Sequence, residues 1–133
     1  MIYLDSSAVV KLIRPEPESA VLVTWLNARN EPPVTSVLAE VEVPRALRRS
    51  SPVHLAAMPA VLARISRVEI DAAVRATAGT YLSEALRPLD AVHLATAQVL
   101  VASGKRVNAF VTYDRRQGAA VAAAGIPVEA PGR

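Results

Sequence analysis

The sequence predicts an α/β fold with a mostly parallel sheet. Short apolar runs of β-forming residues alternate with longer helical stretches along all 133 residues. Strands that alternate with helices favour parallel pairing, because each connecting helix returns the chain to the same end of the sheet. No repeat, low-complexity tract or linker interrupts this alternation. We therefore expect residues 1–133 to form a single domain around one core.

Five short segments have the composition of strands. Each is an apolar or β-branched run bounded by polar residues, proline or glycine. In chain order, we expect strands at Ile2–Leu4, Val34–Thr35, Arg67–Ile70, Asn108–Thr112 and Pro127–Glu129.

Capping and helix-breaking residues delimit the predicted helices. Proline ends a helix, glycine commonly follows one, and Ser or Asp caps its first turn. We expect Ser6 or Ser7 to cap the first helix, and Ser36 and Asp71 to cap two later ones. The first predicted helix ends at Ile13, a later one begins near Val53, and the one that Asp71 caps ends at Thr77. The others cover Glu18–Arg29, Ser36–Arg49, Thr80–Ala85, Leu89–Ser103 and Arg115–Ala124.

The composition excludes several classes of protein. The chain has no Cys, which rules out disulfides, thiolate catalysis and Cys-zinc sites. No apolar run reaches the roughly 18 residues of a membrane span, and no signal-like segment opens the chain, so we expect a cytoplasmic protein without membrane contact. The net charge of +3 comes mainly from Arg, with 13 Arg against 2 Lys. Arg pairs well with phosphate, but codon bias explains this excess equally well.

Acidic residues follow or open apolar elements at three places. Asp is scarce, with four copies, yet Asp5 and Asp114 each follow an apolar strand and Asp90 opens the longest apolar helix. Carboxylates that meet at strand ends repel one another unless a cation neutralises them. The pattern predicts a site for a hard divalent ion at the carboxyl ends of the strands. Helix capping is the alternative explanation for each Asp, and the sequence leaves it open.

Four segments together resemble a known family. They are Ile2–Ala8, Thr35–Leu38 with Glu42 and Arg45–Leu47, Leu89–Ala97, and Val111–Asp114. In order and spacing these segments resemble PIN-domain ribonucleases, and more narrowly the VapC toxins of type II toxin–antitoxin systems. The resemblance covers essentially the whole chain.

The resemblance implies a fold and a chemistry. The fold would be a PIN-like three-layer α/β/α domain, and the activity Mg²⁺- or Mn²⁺-dependent endoribonuclease cleavage of RNA, which makes the chain a hydrolase. Asp5, Glu42, Asp90 and Asp114 correspond to the catalytic acids, and the three Asp would bind the metal. Supporting hydroxyl groups would come from Thr112 and from Ser6 or Ser7.

Some residue assignments stay open at this level. Glu40 and Glu42 point about 200° apart on a helix, so only one can face the cleft, and the family spacing favours Glu42. His93 follows Asp90 by one turn; a packed core residue is the favoured interpretation and a general base the alternative. Arg115 and Arg116 are candidate RNA contacts because they follow Asp114 directly.

The same resemblance implies partners. A VapB-type antitoxin would lie in a groove of the early helices, the toxin would be a homodimer, and operator DNA would be bound only through the antitoxin. Two alternatives remain open: a catalytically silent PIN-like binding module, and a housekeeping PIN nuclease for RNA processing.

Overall fold

The computed structural model describes residues 1–133, and its centre is a five-stranded parallel sheet. The strands lie in the order β3-β2-β1-β4-β5, so β1 and β4 are neighbours near the middle. The strands are β1 (Ile2–Leu4), β2 (Pro33–Ser36), β3 (Ser66–Val68), β4 (Ala109–Val111) and β5 (Val128–Glu129). All five predicted strands are confirmed, each within a few residues of its expected bounds.

Seven α-helices surround the sheet. They are α1 (Ser6–Ile13), α2 (Ser19–Arg29), α3 (Ala39–Ser50), α4 (Met58–Leu62), α5 (Ala72–Ala78), α6 (Pro88–Ala102) and α7 (Arg115–Ala123). A 3-10 helix over Pro52–Ala57 precedes α4, so the helix that the sequence predicted from about Val53 is divided into two short elements. None of these helices is both long enough and apolar enough to cross a lipid bilayer.

Alternation along the strands divides the core between the two faces of the sheet. Ile2 and Leu4 of β1 pack into a cluster with side chains of α1 to α4. Tyr3, between them, packs on the other face with Phe110 of β4 and Leu94 of α6. Successive strand residues point to opposite faces, so the central strands β1 and β4 are buried on both sides. The result is the predicted three-layer α/β/α arrangement.

Two predicted helix starts and one predicted helix are wrong. The cap of α1 is Asp5, whose Oδ1 accepts from the amide of Ala8, rather than Ser6 or Ser7. Helix α3 begins at Ala39, because Ser36 still belongs to β2 and its hydroxyl accepts from the amide of Leu38.

The segment 80–85 forms no helix. Tyr81 packs against the core, but residues 82–85 are exposed, Leu82 at 96%, so the segment lacks the continuous buried apolar side that would stabilise a short helix.

Candidate active site

The sheet brings two of the predicted acids to one edge. Leu4 and Val111 are paired at the carboxyl ends of the parallel strands β1 and β4, and Asp5 and Asp114 follow shortly after. Both also cap the helix that starts there, α1 and α7 respectively. The capping role that the sequence left open is therefore real, and it fixes each carboxylate at the edge of the sheet.

Asp5 is a buried carboxylate held on both oxygens. Ser7 donates its hydroxyl to Oδ1 at 2.5 Å, the amide of Ala8 donates to Oδ1 at 3.0 Å, and Thr112 donates its hydroxyl to Oδ2 at 2.5 Å. Burial raises the pKa of Asp5 above its ordinary value, and the hydrogen bonds offset this only in part. Such a carboxylate is one that a bound cation would stabilise.

Asp90 and Asp114 are bridged by Arg87. The guanidinium donates from Nε to Oδ2 of Asp90 at 3.2 Å and from Nη2 to Oδ2 of Asp114 at 3.1 Å. Hydrogen bonding to Asp90 and the two negative charges raise the pKa of Arg87. The Gln117 side-chain amide, which is buried, also donates to the backbone oxygen of Asp90 at 3.3 Å. These contacts join the start of α6 to the start of α7.

Glu42 reaches the same region from α3. Its Oε1 accepts from the hydroxyl of Ser6 at 2.6 Å and lies 2.7 Å from Nε2 of His93. Burial acts to raise the pKa of Glu42, but hydrogen bonds from His93 and Ser6 outweigh it and hold that pKa below its usual value. Glu40 instead pairs with Arg67 at 3.0 Å on the exposed side of the helix. The structure therefore brings Glu42, and not Glu40, to the predicted site.

The predicted hydroxyl groups take separate places. Thr112 contacts Asp5 and also accepts from the amide of Asp114 at 3.1 Å, so it links two of the acids. Ser6 contacts Glu42, whereas Ser7 is the serine that contacts Asp5.

The ligand atoms available at this site are of the kind that a hard divalent cation prefers. All four acids offer carboxylate oxygens, which Mg²⁺ and Mn²⁺ prefer, and the buried Asp5 lacks a cationic partner. In the structure no group of three or more Asp, Glu, His or Cys side chains lies close enough to hold an ion together. Arg87 supplies the positive charge between Asp90 and Asp114 instead.

Two of the contacts that sequence reasoning missed bring a basic side chain or an imidazole to the acids. The first is the Arg87 bridge; its position three residues before Asp90 is the signal, since such a spacing brings two side chains together on a helix. The second is the bond from His93 to Glu42, which spans 51 residues and has no local signal. The favoured interpretation of His93 as a buried, hydrogen-bonded residue agrees with its 2% exposure.

Comparison with known proteins identifies the family. The PIN-domain family model matches residues 2–122. Ribonuclease VapC35 of Mycobacterium tuberculosis is 53% identical, and the alignment covers 100% of this chain and 98% of that protein. The chain belongs to the VapC ribonucleases of the PIN-domain family. Ribonuclease VapC46 of the same organism, also a member, is 44% identical over 98% of this chain and 97% of its own length.

A solved structure supports the PIN fold independently. A chain of a toxin–antitoxin complex from Klebsiella pneumoniae superposes with a TM-score of 0.71, covering 98% of both chains at 20% identity. At that identity the likeness concerns the PIN fold alone, and it agrees with the parallel sheet and flanking helices described above.

Proposed function

We propose that this chain is a divalent-metal-dependent endoribonuclease that acts as the toxin of a toxin–antitoxin pair, with residues 1–133 as one catalytic domain. The observation that carries the proposal is the arrangement of Asp5, Glu42, Asp90 and Asp114 at one edge of the sheet in a member of the VapC family. The extensive hydrogen bonding of these acids argues against a chance cluster of surface charges.

Each acid has a distinct part in the proposed reaction. Asp5, Asp90 and Asp114 would hold Mg²⁺ or Mn²⁺, which when bound activates water and offsets negative charge on the leaving oxygen. Thr112 keeps the Asp5 carboxylate in one orientation. Glu42 has an oxygen, Oε2, without a protein partner, and that atom would hold the attacking water or accept its proton. We expect products with 5′-phosphate and 3′-hydroxyl ends.

Arg115 and Arg116 would bind the RNA backbone. Neither side chain makes an ion pair or hydrogen bond in the structure, although both stand beside Asp114. They line a groove whose other walls are largely apolar, with Tyr81, Leu86 and Ala120 among them. A groove with free cations and apolar walls suits single-stranded RNA, since phosphates pair with Arg and bases pack on apolar side chains.

Cleavage of total bacterial RNA tests the nuclease directly. The purified protein is incubated with Mg²⁺, with Mn²⁺ or with EDTA, beside Asp90→Asn and the control Asp71→Asn. Asp71 lies outside the site and caps α5, a role that Asn also fills. We expect discrete fragments that require metal, disappear in Asp90→Asn and persist in Asp71→Asn.

The outcomes separate the functions that the sequence left open. Full cleavage by a folded Asp90→Asn protein would show that Asp90 has no part in the reaction. A folded wild-type protein that neither cleaves RNA nor binds Mg²⁺ or Mn²⁺ would refute the nuclease and favour a silent binding module. Growth arrest on expression, reversed by the product of a neighbouring gene, would separate a toxin from a housekeeping nuclease.

Salt dependence tests the proposed RNA contacts. We expect the double variant Arg115→Gln with Arg116→Gln, measured on the Asp90→Asn background, to bind RNA more weakly. The slope of log affinity against log salt should become shallower by about 1.4, since each contact with a single strand contributes about 0.7. Arg106→Gln is a matched control, because Arg106 precedes β4 and so lies at the opposite end of the sheet. Equal losses in both proteins would refute a specific role for Arg115 and Arg116.

An antitoxin would occupy the groove beside α1, α2 and α4. Apolar side chains of these helices line it, including Leu12, Val23, Leu26 and Val61. By analogy with the family, we expect a VapB-type segment there, a toxin homodimer, and operator DNA bound through the antitoxin alone. Val23→Asp should weaken copurification with the neighbouring antitoxin, while Val101→Asp, an equally exposed position on α6, should not. Equal retention by both variants would place the antitoxin elsewhere.

A further inference from the structure

His93 joins the catalytic glutamate to the centre of the sheet. It lies on α6, is 2% exposed, and has both ring nitrogens in hydrogen bonds. Nδ1 lies 2.8 Å from the hydroxyl of Tyr3, and Nε2 lies 2.7 Å from Oε1 of Glu42. Tyr3 is itself fully buried and its ring stacks on Phe110 at 4.7 Å between centroids. The histidine ring is therefore fixed at both ends.

One arrangement of hydrogens satisfies every member of this chain. The Tyr3 hydroxyl donates to Nδ1, the hydrogen on Nε2 is donated to Oε1 of Glu42, and the Ser6 hydroxyl donates to the same oxygen at 2.6 Å. A neutral imidazole carries one N–H, and this assignment gives each donor an acceptor. In the opposite tautomer the Ser6 hydroxyl, 3.2 Å from Nε2, could donate to that nitrogen, but the Glu42 carboxylate would face the Nε2 lone pair at 2.7 Å.

The contact spans the two faces of the sheet. Glu42 belongs to α3, whose Val43 and Leu47 pack with Leu4 on one face. His93 belongs to α6, whose Leu94 and Ala97 pack on the other face. Without such a contact the Glu42 side chain would have several rotamers, because it is only partly buried. The bond from His93 crosses the edge of the sheet and selects one of them.

Both bonds to Glu42 fall on one oxygen. Oε1 accepts from Ser6 and His93, and Oε2 has no partner in the protein. We propose that His93 is a positioning residue, which holds Oε1 of Glu42 so that Oε2 faces the cleft and which is itself oriented by Tyr3. This role rests on the proposed nuclease function, and it assigns His93 no contact with RNA.

The geometry argues against His93 as a general base. A general base needs a nitrogen lone pair within reach of the proton that it removes. Here Nδ1 is occupied by Tyr3 and Nε2 by Glu42, and the ring is buried. The remaining alternative is a residue that only stabilises the core, and the experiment must separate that role from positioning.

Two substitutions of His93 test the hydrogen bonds of its two ring nitrogens separately. A Gln side chain places its amide nitrogen about where Nε2 of His lies, so His93→Gln keeps a donor to Glu42. An Asn side chain reaches only to the place of Nδ1, so His93→Asn keeps a partner for Tyr3 and removes the donor to Glu42. The single-turnover cleavage rate is measured by primer extension at the main site that the wild type cleaves in total bacterial RNA. The stability of each variant is measured separately as its midpoint of unfolding in urea.

We expect His93→Asn to cleave about 10–100 times more slowly, as removal of an orienting partner typically does, and His93→Gln to retain most of the rate. In the Glu42→Gln background, His93→Asn should then cost little more, because its effect passes through Glu42. Parallel losses of rate and stability in His93→Asn and His93→Gln, or losses that multiply in the double variant, would overturn the proposal.

A spectroscopic test stands apart from activity. Long-range ¹H–¹⁵N spectra of the metal-free protein report which nitrogen of His93 carries the hydrogen, with Tyr3→Phe as the assignment variant. We expect the Nε2–H form in the wild type. The Nδ1–H form would refute the proposed arrangement even if the protein proves to be a nuclease. A wild type that cleaves no RNA would refute the nuclease and leave the tautomer result standing.

Discussion

Thr112→Val is the sharpest test of how the protein holds its buried aspartate. The substitution keeps the shape of a side chain that is 3% exposed but removes its hydroxyl. That hydroxyl donates to Oδ2 of Asp5 at 2.5 Å and accepts from the amide of Asp114 at 3.1 Å. The variant therefore leaves a buried carboxylate oxygen without its donor.

The expected loss in the free energy of unfolding follows from these two hydrogen bonds. A hydrogen bond to a charged group contributes about 1.5–3 kcal/mol, and Asp5 is too buried for water to replace the lost donor. The amide of Asp114 is nearer the surface, where water can replace its partner at small cost. We expect the free energy of unfolding to fall by about 2–3 kcal/mol at pH 7. Thr112→Ser keeps the hydroxyl and loses one methyl group, worth about 0.8 kcal/mol.

The loss should depend on pH. Burial raises the folded pKa of Asp5 above its ordinary value of 3.8, so ionised Asp5 lowers stability as the pH rises through the folded pKa. The bond from Thr112 opposes this shift, and its removal raises the folded pKa further. The added destabilisation therefore appears above the folded pKa of the wild type, and it fades at lower pH where Asp5 is protonated in both proteins.

Urea unfolding in EDTA, at pH 7 and at acidic pH, measures this prediction. With a slope of about 2 kcal/mol per molar urea, the midpoint of Thr112→Val should fall by about 1–1.5 M at pH 7. A midpoint shift below about 0.2 M at pH 7 would refute the reasoning, since it lies near the uncertainty of the method. An equal loss at both pH values would refute the part that depends on the Asp5 charge.

Two further predictions concern Arg87 and Asp71. Arg87→Gln should bind Mn²⁺ several-fold more tightly than Arg87→Lys in calorimetry. The guanidinium of Arg87 competes with the metal for Oδ2 of Asp90 and of Asp114, and Lys retains that competing positive charge. Unchanged or weaker Mn²⁺ binding by Arg87→Gln would show that Arg87 does not compete. Asp71→Ala should lower the free energy of unfolding, measured in urea, by about 1 kcal/mol, because the amide of Val74 loses its acceptor. The variant should still cleave RNA. A loss of cleavage would contradict the placement of Asp71 outside the site.

The sequence by itself determined the order of the elements. The strand Ile2–Leu4 and the cap Asp71 depend on residues within a few positions, and both are found where expected. The segment 80–85 has helix-forming residues but no helix, because exposed Leu82 finds no surface on which to pack. Helix formation in a segment that short depends on tertiary contacts that local propensity does not report.

The sequence also placed the acids Asp5 and Asp114 at strand ends, and parallel pairing then forced them to one edge. The resemblance to the family favoured Glu42 over Glu40, but only the tertiary structure shows why: Glu40 is exposed and pairs with Arg67, whereas Glu42 is partly buried among side chains from distant parts of the chain. Ser6 contacts Glu42 from 36 residues away in the sequence. His93 contacts it from 51 residues away, and His93 belongs to a helix on the opposite face of the sheet. Such contacts depend on where α3 and α6 meet at the sheet edge, and local sequence carries no signal for that geometry.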